Sequence, residues 1–479
     1  MKQIIYLVVL INFCACAQEQ KKDKEEEKTI HQLNFKNTPF IESDSLVLMN
    51  GLSYKVLFSE GDTVLNAANK KAAAKGSHDL VVYLPNNNSS NKGDLFVSHE
   101  SASTNDQLGH GGGATVMPVE NNKGWKVTGD KHNVDFSSVG FTMRNCGGKT
   151  TPYGTILMAE EAMPSTKEEL IGQVVNPGEV LADTLNENFG WMVEVDPKSK
   201  KAIRKITAMG RYVHEDAICL PDNKTVILTN DDSPAVLFKF VADDENDFSK
   251  GSLFAYSETG EHWIALPKDL NSLKNIKQIA IQKGATLFVR HEWVTQVGND
   301  IYITETGHDF MQWQNAISLG GKPASYFEKY KQAEGIYSDF YGRVLKLNTI
   351  SWELSVQLDG GVFGDKECFS NPDCINQFTY GNKNYLVISE DVIGLSNGRV
   401  SNRALSNNEL YCEVFLLDLS IKKPKLTDLI RLATAPKGSE TTGLYFTPDE
   451  KTLFMAIQHP DTTNKIPFNK TSVIAITGF

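Results

Sequence analysis

Six short apolar runs in this chain end in residues that can hold a metal ion. Run 95–98 ends at His99 and Glu100, run 155–159 at Glu160 and Glu161, and run 226–229 at Asn230, Asp231 and Asp232. Run 301–304 ends at Glu305, run 385–389 at Glu390 and Asp391, and run 453–458 at His459. Adjacent carboxylates repel one another unless a cation lies between them, and a buried carboxylate must be paired or coordinate a metal. Hard cations such as calcium take several oxygen ligands of this kind. Ahead of Glu160 and Glu161 stands a thiol, Cys146, followed by Gly147 and Gly148, which let the backbone turn sharply and approach a ligand closely. The stretch 141–161 therefore reads as half of a metal site.

The runs recur at intervals of about 60 to 85 residues, the scale of a propeller blade with generous loops. Further short strands are expected at 81–84, 191–195, 236–240, 253–256, 343–347, 414–417 and 472–476, bounded by Asn, Asp, Gly and Pro. Pro221-Asp222 and Pro448-Asp449 precede apolar strands; Pro fixes φ and Asp caps the turn, so a hairpin unit is repeated. The chain is all-β, and the repetition favours radial blades over a sandwich; a lipocalin-like barrel would have fewer strands. Segments 67–74 and 323–333 read as short helices within insertions.

The length of 479 residues would allow two or three domains, but no long Pro/Ser-rich linker divides the chain after its first forty positions, so one domain over 41–479 is expected. A hydrophobic content of 41% supplies a core, and a net charge of −11 without a Lys/Arg cluster argues against a nucleic-acid partner and suits a cation binder. Residues 1–15 have the layout of a secretory signal: Lys2, an apolar run over 4–11, then Phe13-Cys14-Ala15-Cys16. A membrane span would need about 20 apolar residues. The end of this segment resembles a bacterial lipobox, which makes Cys16 the expected lipidation site, with ordinary signal cleavage nearby as the alternative. Residues 16–40, rich in Lys and Glu, read as a solvated tether. Five further cysteines, at 146, 219, 368, 374 and 412, are an odd number for an exported protein, so at least one is free or metal-bound. Cys368 and Cys374 are close enough in sequence to pair, subject to geometry, whereas Cys219 and Cys412 sit in apolar runs as core thiols.

Several motifs carry less than they suggest. Gly148-Lys149-Thr150 ends like a phosphate-binding loop, but position 143 is Met where the first glycine belongs. Gly394-Leu395-Ser396-Asn397-Gly398 fits a nucleophile elbow without the helix that should follow it. No close histidine pair supports a His-built zinc site. His110 to Gly113 reads as a flexible loop, and Asp243 to Asp247 as a solvated turn.

Taken together, several motifs resemble the PhoX family of bacterial alkaline phosphatases. They are 145–155 with Glu160-Glu161, 190–197, 210–215, 230–232, 288–292, and 439–443 leading into 454–460, in the family's order. The resemblance covers roughly 75–462 and implies a six-bladed propeller with insertions between blades, its axial pocket holding a cluster of ferric iron, Fe(3+), and calcium, Ca(2+). It implies hydrolysis of phosphate monoesters outside the cytoplasm. Carried onto this sequence, Cys146 is the iron-bridging thiolate. Glu161, Glu215, Glu292 and Glu440 are carboxylate ligands, joined by Glu160, Asp232, Glu305 and Glu390, and Arg290 faces the substrate phosphate. Departures from the family are Tyr153 for Trp, Ala159 where Cys is common, His291 where Pro usually separates Arg and Glu, and the absence of Arg-Arg ahead of the apolar run.

The expected activity is that of an extracytoplasmic alkaline phosphatase acting on small phosphomonoesters, with metal-bound oxygen as nucleophile and clustered cations plus a guanidinium neutralising charge in the transition state. A monomeric, membrane-anchored lipoprotein of the periplasm or cell surface is expected. Two alternatives stand beside it: a calcium-dependent propeller lactonase or phosphotriesterase, which has no need of Cys146, and a non-catalytic propeller binding a partner at the cell surface.

Overall fold

Short apolar runs broken by turn residues pair with their neighbours in sequence, and among the described residues this produces six mainly antiparallel sheets of four or more strands. The computed structural model describes residues 35, 37–102, 108, 112–173, 185–361, 369–391 and 411–479. Residues Phe35–Phe479 make one compact unit. The first sheet starts with strands His78–Pro85, Lys92–His99 and Ala114–Asn121; the second is Asn145–Thr150, Ile156–Glu160, Met192–Asp196 and Lys201–Lys205. The third starts with His214–Cys219, Thr225–Asn230, Phe238–Asp244 and Asp247–Tyr256. His291–Val297, Asp300–Glu305, Arg343–Asn348 and Leu354–Asp359 form the fourth. The fifth contains Pro372–Tyr380, Lys383–Glu390, Glu413–Asp418 and Ile430–Thr434, and the sixth Glu440–Phe446, Thr452–Gln458 and Ser472–Thr477.

The first strand of each sheet packs beside the first strand of the next, and Glu440–Phe446 packs on His78–Pro85, so the inner strands close a ring. N-terminal strands complete the last two sheets: Val47–Leu48 pairs with Ile430–Thr434 and Ser53–Ser59 with Ser472–Thr477. This leaves the ring without an open seam, which is how propellers protect sheet edges. The expectation of an all-β propeller fold holds. Apolar side chains fill the space between neighbouring sheets: Tyr83, Leu95 and Val97 of the first meet Phe454, Ala456 and Val473 of the sixth, and Leu157, Met192, Leu228, Phe238, Val294 and Ile303 continue the core through the second, third and fourth.

Of the two expected short helices, one is a hairpin instead and the other is present in part. Within 67–74, Lys71–Ala73 pairs antiparallel with Thr63–Leu65, because Asn66 Oδ1 accepts the Ala68 and Lys70 amides and Asn69 takes φ +58, closing a hairpin. Within 323–333, a 3-10 helix over Ser325–Tyr330 meets the expectation and then gives way to strand Lys331–Ala333. Part of the span read as tether lies on the fifth sheet: Phe35 packs against Phe378 and Tyr380, and Thr38 O accepts a hydrogen bond from Arg431.

A bulge near the start of each inner strand positions the chemistry. In the first sheet His78 pairs with His99 and pairing resumes at Val81 with Val97, so two residues oppose one. The same slip follows Asn145 opposite Glu160, His214 opposite Asn230, His291 opposite Glu305 and Pro372 opposite Glu390. The residues opening these five bulges are Asp79, Cys146, Glu215, Glu292 and Asp373, and all five line one cleft at the ring's centre. In the sixth sheet the bulge falls later, after Thr442, and Glu440 at the strand's start faces the cleft.

Candidate active site

Two glycines let the inner strands come close enough to bring these side chains together. A Cβ on Gly147 would lie 2.6 Å from the Glu215 carbonyl, and one on Gly443, at φ +62, would lie 2.3 Å from the Asp79 carbonyl. Cys146 Sγ consequently lies 2.8 Å from Glu215 Oε1. Three overlapping sets each place their ligand atoms within 4.8 Å of one another: Asp79, Cys146 and Glu215; Glu161, Glu215 and Asp231; and Glu215, Glu292 and Asp373. Glu215 belongs to all three.

This crowding is electrostatically unfavourable for the protein alone. Burial, reinforced by neighbouring carboxylates, raises the pKa of Glu161, Glu215, Glu292, Asp373 and Glu440 well above the usual range. Burial likewise pushes Asp79 and Glu100 up to about 7. The Cys146 thiol is raised well above its ordinary value by burial and then by Asp79 and Glu215. Asp79 Oδ2 is buried without a hydrogen-bond partner among the described residues. A set of inward carboxylate oxygens, one of them orphaned, with one sulfur among them, is a donor set that fits hard cations together with a metal that accepts thiolate.

Arg290 enters the cleft from the turn before strand His291–Val297, at φ +41, a conformation a long side chain adopts only where its surroundings impose it. Its Nε and Nη2 donate to Asp231 at 2.9 and 3.2 Å, and Nη2 lies 3.1 Å from Glu292. Burial disfavours the charge, but Asp231, Glu292 and Asp391 outweigh it and hold the guanidinium cationic. Nη1 is buried and has no hydrogen-bond partner among the described residues. The Thr306 hydroxyl donates to Glu292 at 2.6 Å, fixing that carboxylate beside Arg290.

Comparison with known proteins gives the family and the fold. The family described as Alkaline phosphatase PhoX matches residues 120–461. The chain belongs to the PhoX alkaline phosphatase family. It is thus a phosphatase by family. Among solved structures, Pseudomonas fluorescens PhoX in complex with vanadate, a transition state analogue, superposes with a TM-score of 0.70 at 19% identity, covering 93% of this chain and 98% of that one. A Trichoderma reesei family AA12 enzyme superposes at 0.43 with 10% identity, over 93% and 100% of the two chains. A gluconolactonase from Xanthomonas campestris superposes at 0.33 with 8% identity, over 88% and 99%. No curated protein matches the chain.

Of the residues expected from sequence, the PhoX cleft gathers Cys146, Glu161, Glu215, Glu292, Glu440 and Arg290. It does not gather Glu160, Asp232, Glu305 or Glu390. Glu160 is buried against Lys205 at 3.0 Å and accepts the Met143 and Trp191 amides. Glu305 is held by Arg343 at 2.5 Å and by the Tyr326 hydroxyl at 2.8 Å. Glu390 accepts the Ser370 and Glu413 amides, and Asp232 pairs with Lys277 outside the cleft. The reason is strand alternation: Glu160, Glu305 and Glu390 are last in their second strands, and side chains one residue apart point oppositely. The next residues, Glu161 and Asp391, face the cleft, as do Glu100, Asp231 and His459 in the equivalent places.

Asp79, Arg144 and Asp373 also line the cleft and were missed. A histidine-acid dipeptide at the start of an inner strand, found at 78–79, 214–215 and 291–292, is the signal that would have located Asp79. Lys149, of the rejected phosphate-loop motif, lies 3.7 Å from Asp216 and over the Trp293 ring. Cys374 Sγ is 3.4 Å from the Leu444 amide. Cys16, Cys368 and the 394–398 motif lie outside the described residues. No helix among the described residues is long and apolar enough to cross a membrane.

Proposed function

We propose that this chain hydrolyses small phosphate monoesters outside the cytoplasm, with iron and calcium held in the central cleft and the protein anchored to a membrane through lipid on Cys16. The observation that carries the reading is the convergence of Cys146 and the carboxylates of Asp79, Glu161, Glu215, Asp231, Glu292 and Asp373 with Arg290 in one cleft. Cys146 and Glu215 would serve the thiolate-accepting iron, and the all-carboxylate sets would serve calcium. The chemistry such metals would supply, held by these residues, is Lewis acidity toward phosphoryl oxygens and a lowered pKa for water.

The chain's own groups bind and orient. Nη1 of Arg290, without a partner among the described residues, offers a donor to a phosphate oxygen, while Asp231 and Glu292 hold the plane of the guanidinium against rotation. Thr306 in turn keeps Glu292 from swinging toward the arginine's free edge. Preorganisation of this kind stabilises the charge of phosphoryl transfer without reorientation during the reaction. The signal expected at 1–15, and the Lys- and Glu-rich stretch that follows it before the chain packs on the fifth sheet at Phe35, fit an exported lipoprotein acting as a monomer.

The test is metal analysis of purified protein alongside turnover of a chromogenic phosphomonoester at alkaline pH. Iron plus calcium, with activity lost to a calcium chelator and restored by calcium, is the expected result. Calcium alone with lactonase activity, or no bound metal and no turnover, would each reject it.

A further inference from the structure

We infer that Arg144 is a second phosphate-binding residue of this cleft, the counterpart in the second sheet of Arg290 in the fourth. The inference rests on the phosphatase reading above and adds a residue to it. The two arginines occupy equivalent points of a backbone device that the fold repeats. In the fourth sheet, Glu305 pairs with His291 and its Oε1 accepts the Val289 amide at 3.2 Å, so the carboxylate spans the turn that carries Arg290 at φ +41. In the second sheet, Glu160 pairs with Asn145 and its Oε1 accepts the Met143 amide at 3.3 Å, spanning a turn that carries Arg144 at φ +45. Each arginine stands two residues before the side chain that opens the bulge, Glu292 or Cys146. The buried glutamates thus hold a strained turn that presents the residue between to the axis.

The fifth sheet repeats the device with Glu390, the Ser370 amide and Asn371 at φ +50, but the Asn371 amide group is spent on the Thr306 carbonyl. Only the second and fourth sheets present a cation from this point, and both cations line the same cleft.

Their surroundings differ in the direction that favours a ligand. Arg290 has its Nε and Nη2 occupied by Asp231. The half-buried Arg144 side chain makes no hydrogen bond or ion pair among the described residues, although it acts through space on Glu100 and Glu161. A guanidinium presents five N–H donors in a planar fork, and a phosphate offers oxygens that match two of them at once. A role limited to balancing Glu100 and Glu161 would leave those donors unused and would show itself in metal content instead.

The experiment compares wild-type, Arg144→Gln and Arg144→Lys holoenzymes by iron and calcium content, by KM and kcat for p-nitrophenyl phosphate, and by the inhibition constant of inorganic phosphate. Expected in the Gln variant is a rise of about tenfold or more in KM and in the phosphate constant, the size of a lost charge-assisted contact, with a smaller change in kcat and wild-type metal content. The Lys variant should fall between, because it keeps the charge and loses the fork. A wild type that turns over ester while the Gln variant keeps its phosphate constant overturns Arg144 alone, as does a loss of phosphate affinity that only follows a loss of metal. A wild type that neither hydrolyses the ester nor is bound by phosphate overturns the phosphatase reading and this inference with it.

Discussion

Two buried clusters of charge sit at neighbouring points of the fourth sheet and solve the same problem oppositely. Around Glu305 the chain supplies its own cation: Arg343, fully buried, reaches Glu305 at 2.5 Å, pairs with Asp339, and lies over the Tyr326 and Tyr330 rings at 4.6 and 4.7 Å. Burial works against the Glu305 carboxylate, but Arg343 and His291 hold its pKa below the usual value. One strand over, Glu292, Glu215 and Asp373 lie within 4.8 Å of one another and are pushed far up by burial and mutual repulsion. Arg290 reaches Glu292 at 3.1 Å but also serves Asp231, so one guanidinium faces several carboxylates and neutralises only part of the group. A cluster matched by its own cation is structure, whereas one left with excess negative charge is a place for ions from outside.

Removing the metals should break the contrast most completely. The stripped protein is expected to lose all turnover, and its stability should depend on pH in a stated direction. Asp79 and Glu100 have ordinary values of 3.8 and 4.5 and are pushed up to about 7 in the folded chain. A carboxyl whose folded pKa lies above its unfolded one stabilises fully below the unfolded value, and that contribution is lost as pH rises through the folded one. The melting temperature of metal-free protein should therefore fall between about pH 4 and pH 7, and added calcium should reverse the fall at pH 8. A melting temperature indifferent to both pH and calcium would refute the role given to this cluster.

Next in size are single ligands. Glu215→Gln touches all three ligand sets, so it should reduce turnover beyond the roughly 10–100-fold typical of groups that only support a ligand. If the cleft holds iron and calcium as proposed, Cys146→Ser should lose the iron and its visible absorption while calcium and the β-sheet circular dichroism persist; unchanged iron would make Cys146 a turn thiol.

Arg343→Met probes the other cluster. Leaving Glu305 and Asp339 buried without their cation should cost about 3–5 kcal/mol in denaturant unfolding, with metal content per folded molecule unchanged. Loss of metal without loss of stability would erase the distinction between the clusters. Arg290→Lys keeps the charge but not the fork, so phosphate inhibition should weaken by about tenfold while the melting temperature stays near wild type. The smallest effect belongs to Asp232→Asn. Asp232 is paired with Lys277 and partly exposed, and its loss should be worth about 0–1 kcal/mol with kcat unaltered; a large fall in turnover would return it to the site.

The sequence by itself determined the strands, their repetition, and the end of each hairpin at which acids collect, because a two-residue alternation and a turn residue are local properties. The Cys146-Gly147-Gly148 stretch was legible for the same reason, whereas Glu215 and Glu292 came from the resemblance to the PhoX family. Which member of an acidic pair enters the cleft was decided by tertiary structure. Glu160 and Glu161 are neighbours of the same chemistry, yet one meets Lys205 and two backbone amides while the other meets Glu215 and Asp231. That choice depends on register against the inner strand and on where each bulge falls, and both are set by partners far away in sequence. Asp79 and Asp373 join a common site only because the ring closes, bringing together side chains that no local pattern connects.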